Sequence, residues 1–339
     1  MIVVMKPGAS QEQIDHVIQL VRRAGLKDHP IYGTELTVIA CLGDKRNLDM
    51  SAIENASGVD RTMPILSPYK RASVEVQVEP TVVPLGAAGS IGGSHFGAIA
   101  GPCSVEDRKC LIEVAHAVKE AGAVGLRGGA FKPRTDPYSF QGLGESGLEL
   151  LALAAEETGL AVVTEVMSLE QVDLVARYAD VLQIGTRNMH NFNLLQRVGQ
   201  SSKSVLLKRG WSATLDEFLL AAEYILNEGN GNVILCERGI RTSEDYVRNT
   251  LALGIIPAAK RRSHLPIIVD PSHGTGHAYM VPAMCRAALA AGADGVLVEV
   301  HPDPEHALTD GAQSITPDAF ADVMCDLRKI APVVAKRIE

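Results

Sequence analysis

The sequence predicts an α/β protein: a (β/α)8 barrel preceded by a small N-terminal α+β domain of the ferredoxin-like type. After residue 95 the chain alternates short apolar runs with helical stretches eight times, and eight βα units in succession are typical of a closed parallel barrel. The composition, 46% hydrophobic with one Trp and 4% aromatic residues, is typical of an aliphatic core. An open doubly wound sheet is the alternative, but no G-x-G-x-x-G follows the first strand.

Residues 1–66 are predicted to form the small domain. Ile2–Met5 is strand-like, and Ser10 with Gln13 has the form of a capping box ahead of a helix. Further strands are expected near 30–33, 36–41 and 59–65, with a short helix near 48–55, which gives the ferredoxin-like order βαββαβ. The segment contains no cluster of catalytic residue types, so we expect an accessory or regulatory role.

Residues 67–95 are expected to form a linker and a hairpin that caps the barrel, which then occupies residues 96–339. Val74 to Val78 alternates apolar and polar residues among several prolines and glycines, a pattern typical of a strand. In the barrel, Ser168 with Gln171 and Thr214 with Glu217 resemble capping boxes. The predicted barrel strands are Phe96–Ala100, Ala123–Leu126, Ala161–Glu165, Val181–Ile184, Ser204–Leu207, Asn232–Cys236, Pro266–Asp270 and Gly295–Val300.

Composition excludes several classes of function. A net charge of −8 opposes non-specific nucleic-acid binding, because the surface as a whole repels phosphate. There is no apolar run of about 18 residues, so no membrane span is expected, and the N-terminus lacks the pattern of a signal peptide. The six cysteines are scattered without a C-x-x-C pair, which is typical of a reduced, cytoplasmic protein.

Ionisable residues follow nearly every predicted strand, at the end where barrels hold their active sites. The opposite strand ends are nearly free of charge. This asymmetry predicts an active site at the carboxyl ends of the strands. The residues at these ends are Cys103, Arg127, Lys132, Arg134, Glu165, Arg187, Lys208, Arg209, Glu237, Arg238, Asp270, His273 and Glu299, with Asp310 in the last loop.

Four of these residues offer the ligand types of a divalent metal: Cys103, His273, Glu299 and Asp310 supply sulfur, nitrogen and oxygen. They lie on the first, seventh and eighth units, which are neighbours in a closed barrel. Taken singly, Cys103 reads as a buried small hydrophobic residue and His273 as a hydrogen-bonded loop residue. The convergence of four compatible ligands favours a metal site, and Mn²⁺, Fe²⁺, Co²⁺ and Zn²⁺ all suit such ligands.

A second group is cationic. Its members are Arg127, Lys132, Arg134, Arg187, Lys208 and Arg238. One phosphate needs two or three donors, so six cations suit two phosphorylated substrates, or a phosphate with a carboxylate. Glu165, Glu237 and Asp270 either carry protons or orient the arginines, and the sequence leaves both interpretations open. The residues alone therefore predict a metal-assisted barrel enzyme that acts on small phosphorylated anions.

At these positions the sequence closely resembles the 3-deoxy-D-arabino-heptulosonate 7-phosphate (DAHP) synthases, most of all the class I-beta type. The N-terminal segment resembles the ferredoxin-like regulatory domain that some members carry. The matching segments are 100–104 (AGPCS), 126–135 (LRGGAFKPRT), 137–142 (PYSFQG), 183–187 (QIGTR), 206–210 (LLKRG), 234–239 (ILCERG), 269–273 (VDPSH) and 298–302 (VEVHP).

The resemblance implies condensation of phosphoenolpyruvate with erythrose 4-phosphate, the first step of the shikimate pathway. It implies a divalent metal on the four ligands named above, and an aldose phosphate held by Arg134 and Thr135. Phosphoenolpyruvate would be held by Arg127, Lys132, Arg187, Lys208 and Arg238. The candidate catalytic residues are Lys132, Cys103, His273 and Asp310. An aromatic amino acid effector at the N-terminal domain and a homotetramer are further expectations from the resemblance.

Two other reactions are considered. The 3-deoxy-manno-octulosonate 8-phosphate synthases share the barrel and phosphoenolpyruvate but use arabinose 5-phosphate, and typically carry a different loop where this chain has Lys132-Pro133-Arg134-Thr135. A metal-free aldolase would use Lys208 as a Schiff-base lysine. A catalytically inactive sensor of phosphorylated metabolites is a third alternative, against which the complete ligand set argues.

Overall fold

The computed structural model describes residues 1–33, 36–42, 51–63, 68–132, 136 and 138–338. The chain divides into two compact units, Met1–Pro68 and Tyr69–Glu339. Each unit has its own hydrophobic core.

In its described residues, the first unit is a four-stranded antiparallel sheet with two helices, in the strand order β2-β3-β1-β4. Its elements are β1 (Ile2–Met5), α1 (Gln11–Arg23), β2 (Lys27–Tyr32), β3 (Thr37–Leu42), α2 (Ser51–Glu54) and β4 (Val59–Met63). The side chain of Ser10 accepts from the backbone N–H of Gln13 and the Gln13 side chain bonds back, so the predicted capping box starts α1. The predicted ferredoxin-like order is confirmed.

The second unit is a closed barrel of eight parallel strands. They are β7 (Gly97–Gly101), β8 (Gly125–Arg127), β9 (Ala161–Glu165), β10 (Val181–Ile184), β11 (Ser204–Lys208), β12 (Val233–Glu237), β13 (Ile267–Val269) and β14 (Gly295–Glu299). Most of their residues are fully buried, because one face of each strand lines the barrel and the other packs under helices. The predicted fold class is confirmed, and β14 closes the barrel onto β7.

Helices surround the barrel. They are α3 (Arg108–Ala121), α4 (Glu145–Thr158), α5 (Val172–Tyr178), α6 (Phe192–Gly199), α7 (Leu215–Asn227), α8 (Ile255–Arg262), α9 (Pro271–Thr275), α10 (Val281–Ala290) and α11 (Pro317–Ile330). Thr214 and Glu217 form the predicted capping box of α7. At Ser168 the prediction is wrong, because the Gln171 side chain accepts from Met167 N instead and a 3₁₀ turn precedes α5. Among the helices of the described residues, none combines the length and hydropathy that crossing a bilayer requires.

A short hairpin packs into the amino-terminal end of the barrel. Its strands are β5 (Val83–Pro84) and β6 (Ser90–Ile91), and the side chain of Ile91 lies against Gly97 at the start of β7. The alternating segment Val74 to Val78 is not a strand, contrary to the prediction. It forms turns, in which Val76 N donates to Ser73 O and Val78 is 81% exposed, because no strand of the described residues pairs with it.

Candidate active site

A cavity of about 480 Å³ opens at the carboxyl ends of the barrel strands. Among the described residues, seven Arg and Lys side chains line it: Arg127, Lys132, Arg187, Lys208, Arg238, Arg241 and Arg248. Five of the six cations of the predicted group are thus in one cavity. The sixth, Arg134, and its neighbour Thr135 lie outside the described residues.

Three of the four predicted metal ligands form a compact cluster below this cavity. The ligand atoms of Cys103, Glu299 and Asp310 all lie within 4.8 Å of one another. The fourth, His273, places Nε2 at 3.4 Å from Glu299 Oε1. Cys103 and Glu299 are buried, whereas His273 and Asp310 line the cavity, so the cluster faces the space that the cations surround.

Strand pairing brings these residues together. Glu299, the last residue of β14, pairs with Gly101 at the end of β7, two residues before Cys103. Gly101 has a φ of 151°, and a Cβ there would lie 2.2 Å from the carbonyl oxygen of Arg127, so only glycine allows this close approach of β7 and β8. Asp310 has a φ of 49°, an uncommon left-handed conformation for a residue other than glycine and one that recurs at functional sites.

Glu299 is held as a carboxylate. Its Oε1 accepts from Arg127 Nη1 at 2.6 Å and its Oε2 accepts from Gln313 Nε2 at 2.6 Å. Burial raises the pKa of Glu299, but the charges of His273, Arg127 and Lys132 outweigh burial and lower that pKa to about 2. A fully buried carboxylate is therefore ionised at neutral pH, as a metal ligand must be.

The Cys103 thiol is held among charged groups. It donates to Asp310 Oδ2 at 3.1 Å, and Lys132 Nζ lies 3.0 Å from Sγ. Burial first, and then the Glu299 charge, raise the pKa of Cys103 to about 12, so the protein alone keeps the thiol protonated. A thiol that shares its surroundings with two carboxylates and an imidazole fits a divalent cation, because such an ion stabilises the thiolate and neutralises the acids.

Asp270 orients both a candidate ligand and a cation. It accepts from Lys208 Nζ at 2.6 Å and lies 2.8 Å from His273 Nδ1, which turns His273 Nε2 toward Glu299. Burial raises the pKa of Asp270, yet His273 and Lys208 hold it well below its usual value. Burial lowers the pKa of His273, with partial opposition from Asp270, and the neutral imidazole is the form that binds metals.

The other two acids left open by the sequence differ from one another. Glu237 accepts from Arg209 Nη1 at 2.8 Å and from Gly239 N at 2.6 Å, so it holds a buried arginine outside the cavity lining. Glu165 lines the cavity, where Gln183 Nε2 lies 3.4 Å from its Oε2. In this structure Asp270 and Glu237 both orient cations.

Four residues at or beside the site were not among the residues predicted from the strand ends: Trp211, Arg241, Arg248 and Gln313. Arg241 and Arg248 line the cavity from the segment after β12, and Arg248 Nη1 donates to Gln313 Oε1 at 2.6 Å. Trp211 lines it from the turn after β11. None of the four directly follows a strand, so the strand-end pattern did not reveal them. The single Trp of the chain was the one compositional signal available.

Comparison with known proteins gives the family. Residues 77–335 match the model of the DAHP synthetase I family, and residues 1–67 match that of the DAHP synthase ferredoxin-like domain. The chain belongs to the DAHP synthetase I family. Phospho-2-dehydro-3-deoxyheptonate aldolase of Thermotoga maritima is 49% identical over 338 residues, covering 100% of both chains.

Solved structures of this family agree with the fold. The crystal structure of the Thermotoga maritima phospho-2-dehydro-3-deoxyheptonate aldolase (DAHP synthase) superposes with a TM-score of 0.91 at 48% identity, covering 100% of this chain and 99% of that one. A truncated form of the Thermotoga enzyme gives 0.74 and covers 79% of this chain and 98% of that one. More distant is 2-dehydro-3-deoxyphosphooctonate aldolase of Nitratidesulfovibrio vulgaris, 34% identical over 68% of this chain and 89% of that protein.

Proposed function

We propose that this protein condenses phosphoenolpyruvate with D-erythrose 4-phosphate and water, giving DAHP and phosphate, at the cavity described above. Membership of the DAHP synthetase I family and 49% identity to a phospho-2-dehydro-3-deoxyheptonate aldolase along the whole chain support this reaction. One structural observation carries the assignment of the site: a cationic cavity adjoins a buried cluster of thiol, imidazole and carboxylates. The reaction is the first step of the shikimate pathway.

Phosphoenolpyruvate is held by five cations in this proposal: Arg127, Lys132, Arg187, Lys208 and Arg238. Arg238 supports the assignment most directly. Its Nη1 is buried and has no hydrogen-bond partner among the described residues, and burial lowers its pKa. A buried donor without a partner is costly unless a ligand accepts from it, and a phosphate or carboxylate oxygen does so with the strength of a charge-assisted bond. Arg134 and Thr135 remain the predicted contacts of the aldose phosphate.

Cys103, His273, Glu299 and Asp310 are proposed to hold a divalent ion, with Mn²⁺, Fe²⁺, Co²⁺ and Zn²⁺ as candidates. When bound, such an ion supplies a Lewis acid for the carbonyl oxygen of the aldose phosphate. Asp270 orients His273 through their close contact at Nδ1, and Arg127 and Gln313 orient Glu299 through hydrogen bonds, which keeps the ligand atoms in place.

In this proposal the cations bind the two substrates, and Lys132 also donates a proton. The cations hold two multiply charged anions side by side, so that C3 of phosphoenolpyruvate can form its bond to the aldehyde carbon. Water then adds at C2 and the C2–O bond to phosphate breaks, so that one proton of the water replaces the proton given to the aldehyde oxygen and the other leaves with phosphate. Burial lowers the pKa of Lys132, but the neighbouring Cys103 and Glu299 outweigh burial and raise that pKa above its usual value. The Nζ group therefore stays protonated beside Cys103. From this position it can give a proton to the aldehyde oxygen.

The environment of Lys208 argues against a Schiff-base aldolase. Its Nζ is buried and donates to the ionised Asp270 at 2.6 Å, whereas a Schiff-base lysine must lose its proton to attack a carbonyl. Octulosonate synthesis is the second candidate function, because relatives named 2-dehydro-3-deoxyphosphooctonate aldolase share 34% identity. The segment 132–135 favours erythrose 4-phosphate over the longer aldose.

Phosphate release from phosphoenolpyruvate and erythrose 4-phosphate tests the proposal. Chelation is expected to abolish release, and added Mn²⁺ to restore it. Borohydride in the presence of substrate is expected to leave Lys208 unlabelled. Release that a chelator does not change would count against the cluster as a metal site, and labelled Lys208 would replace the metal-assisted reaction by Schiff-base chemistry.

The first unit, residues 1–68, is proposed to be the regulatory domain and to respond to an aromatic amino acid, with residues 69–339 as the catalytic unit. The match of residues 1–67 to the DAHP synthase ferredoxin-like domain supports this division. A homotetramer and a cytoplasmic location stay predictions. Gel filtration with light scattering measures the oligomeric state. Inhibition of phosphate release by Tyr, Phe and Trp, each tested alone, measures the response of the regulatory domain.

A further inference from the structure

One aromatic side chain contacts two of the cavity's cations. The guanidinium carbon of Arg241 lies 4.7 Å from the ring centroid of Trp211, and that of Arg187 lies 5.3 Å from it. Both distances are within the range of a cation–π interaction, for which the indole is the best partner. All three side chains line the cavity, and they come from the segments after β10, β11 and β12.

The N–H donors of the two guanidinium groups have no partner among the described residues. Within the described part of the chain, the side chains of Arg187 and Arg241 form no hydrogen bond or ion pair, whereas Arg127, Lys208 and Arg248 each bond to a carboxylate. Two like charges at one ring repel each other, and among the described residues no carboxylate forms an ion pair with either guanidinium group. An anion that accepts from both groups would offset it.

The side chains also need a support. Both arginines are exposed, and a long exposed side chain loses rotamer freedom when it is fixed on a ligand. Trp211 is half-buried, and its carbonyl oxygen accepts from Arg241 N at 2.8 Å, which ties the turn after β11 to the segment after β12. The indole therefore offers a rigid surface that fixes both guanidinium groups before the anion arrives.

We propose that Trp211 is a positioning residue that holds Arg187 and Arg241 together as one phosphate-binding pair, and that Arg241 contacts the phosphate of phosphoenolpyruvate alongside Arg187. This inference rests on the proposed function for the identity of the ligand. It assigns a ligand contact to Arg241 and a supporting role to Trp211, neither of which follows from the strand-end pattern.

Because Trp211 is the single Trp of the chain, its fluorescence reports on this site without turnover. Phosphoenolpyruvate alone is titrated into the wild-type protein, with calorimetry as an independent measure of binding. We expect a saturable change in Trp emission with the same Kd as calorimetry gives. The Arg241→Ala variant is expected to weaken that Kd about tenfold, and Arg286→Ala, which removes an exposed arginine paired with Asp326, to leave it unchanged.

Kinetics separate positioning from a general structural role. Trp211→Ala is expected to raise KM for phosphoenolpyruvate about fivefold to tenfold with kcat within about twofold, because ground-state binding is what it weakens. Trp211→Phe keeps a ring face and is expected to restore KM to within about threefold of wild type. Circular dichroism and Tm are recorded for each variant.

The inference is overturned if saturating phosphoenolpyruvate leaves the emission unchanged, if Arg241→Ala binds as tightly as Arg286→Ala, or if Trp211→Ala lowers kcat at unchanged KM. If the Trp211→Ala variant does not fold, the Kd of Arg241→Ala for phosphoenolpyruvate, compared with that of Arg286→Ala, still tests the inference. A wild-type protein that binds phosphoenolpyruvate with the fluorescence change but releases no phosphate with erythrose 4-phosphate would support this pair and contradict the proposed reaction.

Discussion

Individual buried side chains set the charge state at the bottom of the cavity. Asp270 lies between Lys208 and His273, and Glu299 lies between Arg127 and Gln313. Each carboxylate is paired with a cation, Asp270 with Lys208 and Glu299 with Arg127. Asp270 also orients His273 of the candidate metal cluster, and Glu299 is itself a member of it. Pairing of this kind keeps a buried acid ionised, which burial alone would prevent.

Asp270→Asn tests whether that pairing positions His273. The amide cannot supply the negative charge that holds Nδ1, so we expect the affinity for Mn²⁺ to fall about 10- to 100-fold. Glu237→Gln is the matched control, because Glu237 is equally buried and pairs with Arg209 away from the cluster. Calorimetric titration with Mn²⁺ measures both variants, and an equal loss in the two would contradict a specific role for Asp270.

Cys103→Ala tests the cluster itself. Loss of the sulfur is expected to reduce bound Mn²⁺ to background and phosphate release at least about a hundredfold. Cys325→Ala, which changes an exposed cysteine, is expected to match wild type in both measurements. The decisive measurement is the Mn²⁺ content by mass spectrometry after reconstitution. If the Cys103→Ala protein binds as much Mn²⁺ as the wild type, Cys103 is not a ligand.

At this scale the sequence was informative where a residue ends a strand or follows it closely. Cys103, Glu299 and Lys208 could be assigned to one end of the barrel because parallel strands end at a common edge. Trp211, Arg241 and Gln313 could not, since the conformation of the loop decides whether they face the cavity. Arg134 and Thr135 stay predictions.

At the scale of elements, β7 pairs with β14 on one side and with β8 on the other, which places Cys103 near Glu299 and Arg127. Gly101→Ala would put a Cβ at 2.2 Å from Arg127 O in a conformation that favours glycine. We expect it to destabilise the barrel by about 1–3 kcal/mol, which lowers Tm by about 3–10 °C. Gly231→Ala, where no atom lies within 4 Å of the new Cβ, is the control in the same thermal scan. A Gly101→Ala protein as stable as this control would mean that the two strands can separate without cost.

The elements were predictable where local chemistry and packing agree. Buried strands such as Ala161–Glu165 and Val181–Ile184 are built mainly from apolar residues, and both were predicted at their observed bounds. Val74 to Val78 has a strand's alternation, but no strand in the described part of the chain pairs with it. Ser168 and Gln171 are the residue types of a capping box, yet the Gln171 side chain accepts from Met167 N and the Ser168 side chain caps no backbone N–H.

At the scale of the whole molecule, each of the two units has its own core. We expect residues 69–339 alone to fold and to condense the two substrates, because they form a compact unit with its own core and a truncated form of the Thermotoga enzyme superposes on 79% of this chain. The truncated protein is expected to lose any inhibition that an aromatic amino acid exerts on the full chain. Side-by-side inhibition curves measure this, and inhibition that survives truncation would place the effector site in the barrel.

The choice of aldose is the most direct test of the whole account. Phosphate release is measured with phosphoenolpyruvate and Mn²⁺ at varied erythrose 4-phosphate, and again at varied arabinose 5-phosphate, to give kcat/KM for each. The account predicts a kcat/KM at least about a hundredfold higher for erythrose 4-phosphate, since recognition through polar contacts discriminates strongly between aldoses. An equal or higher kcat/KM for arabinose 5-phosphate would contradict it and place the activity with the octulosonate synthases.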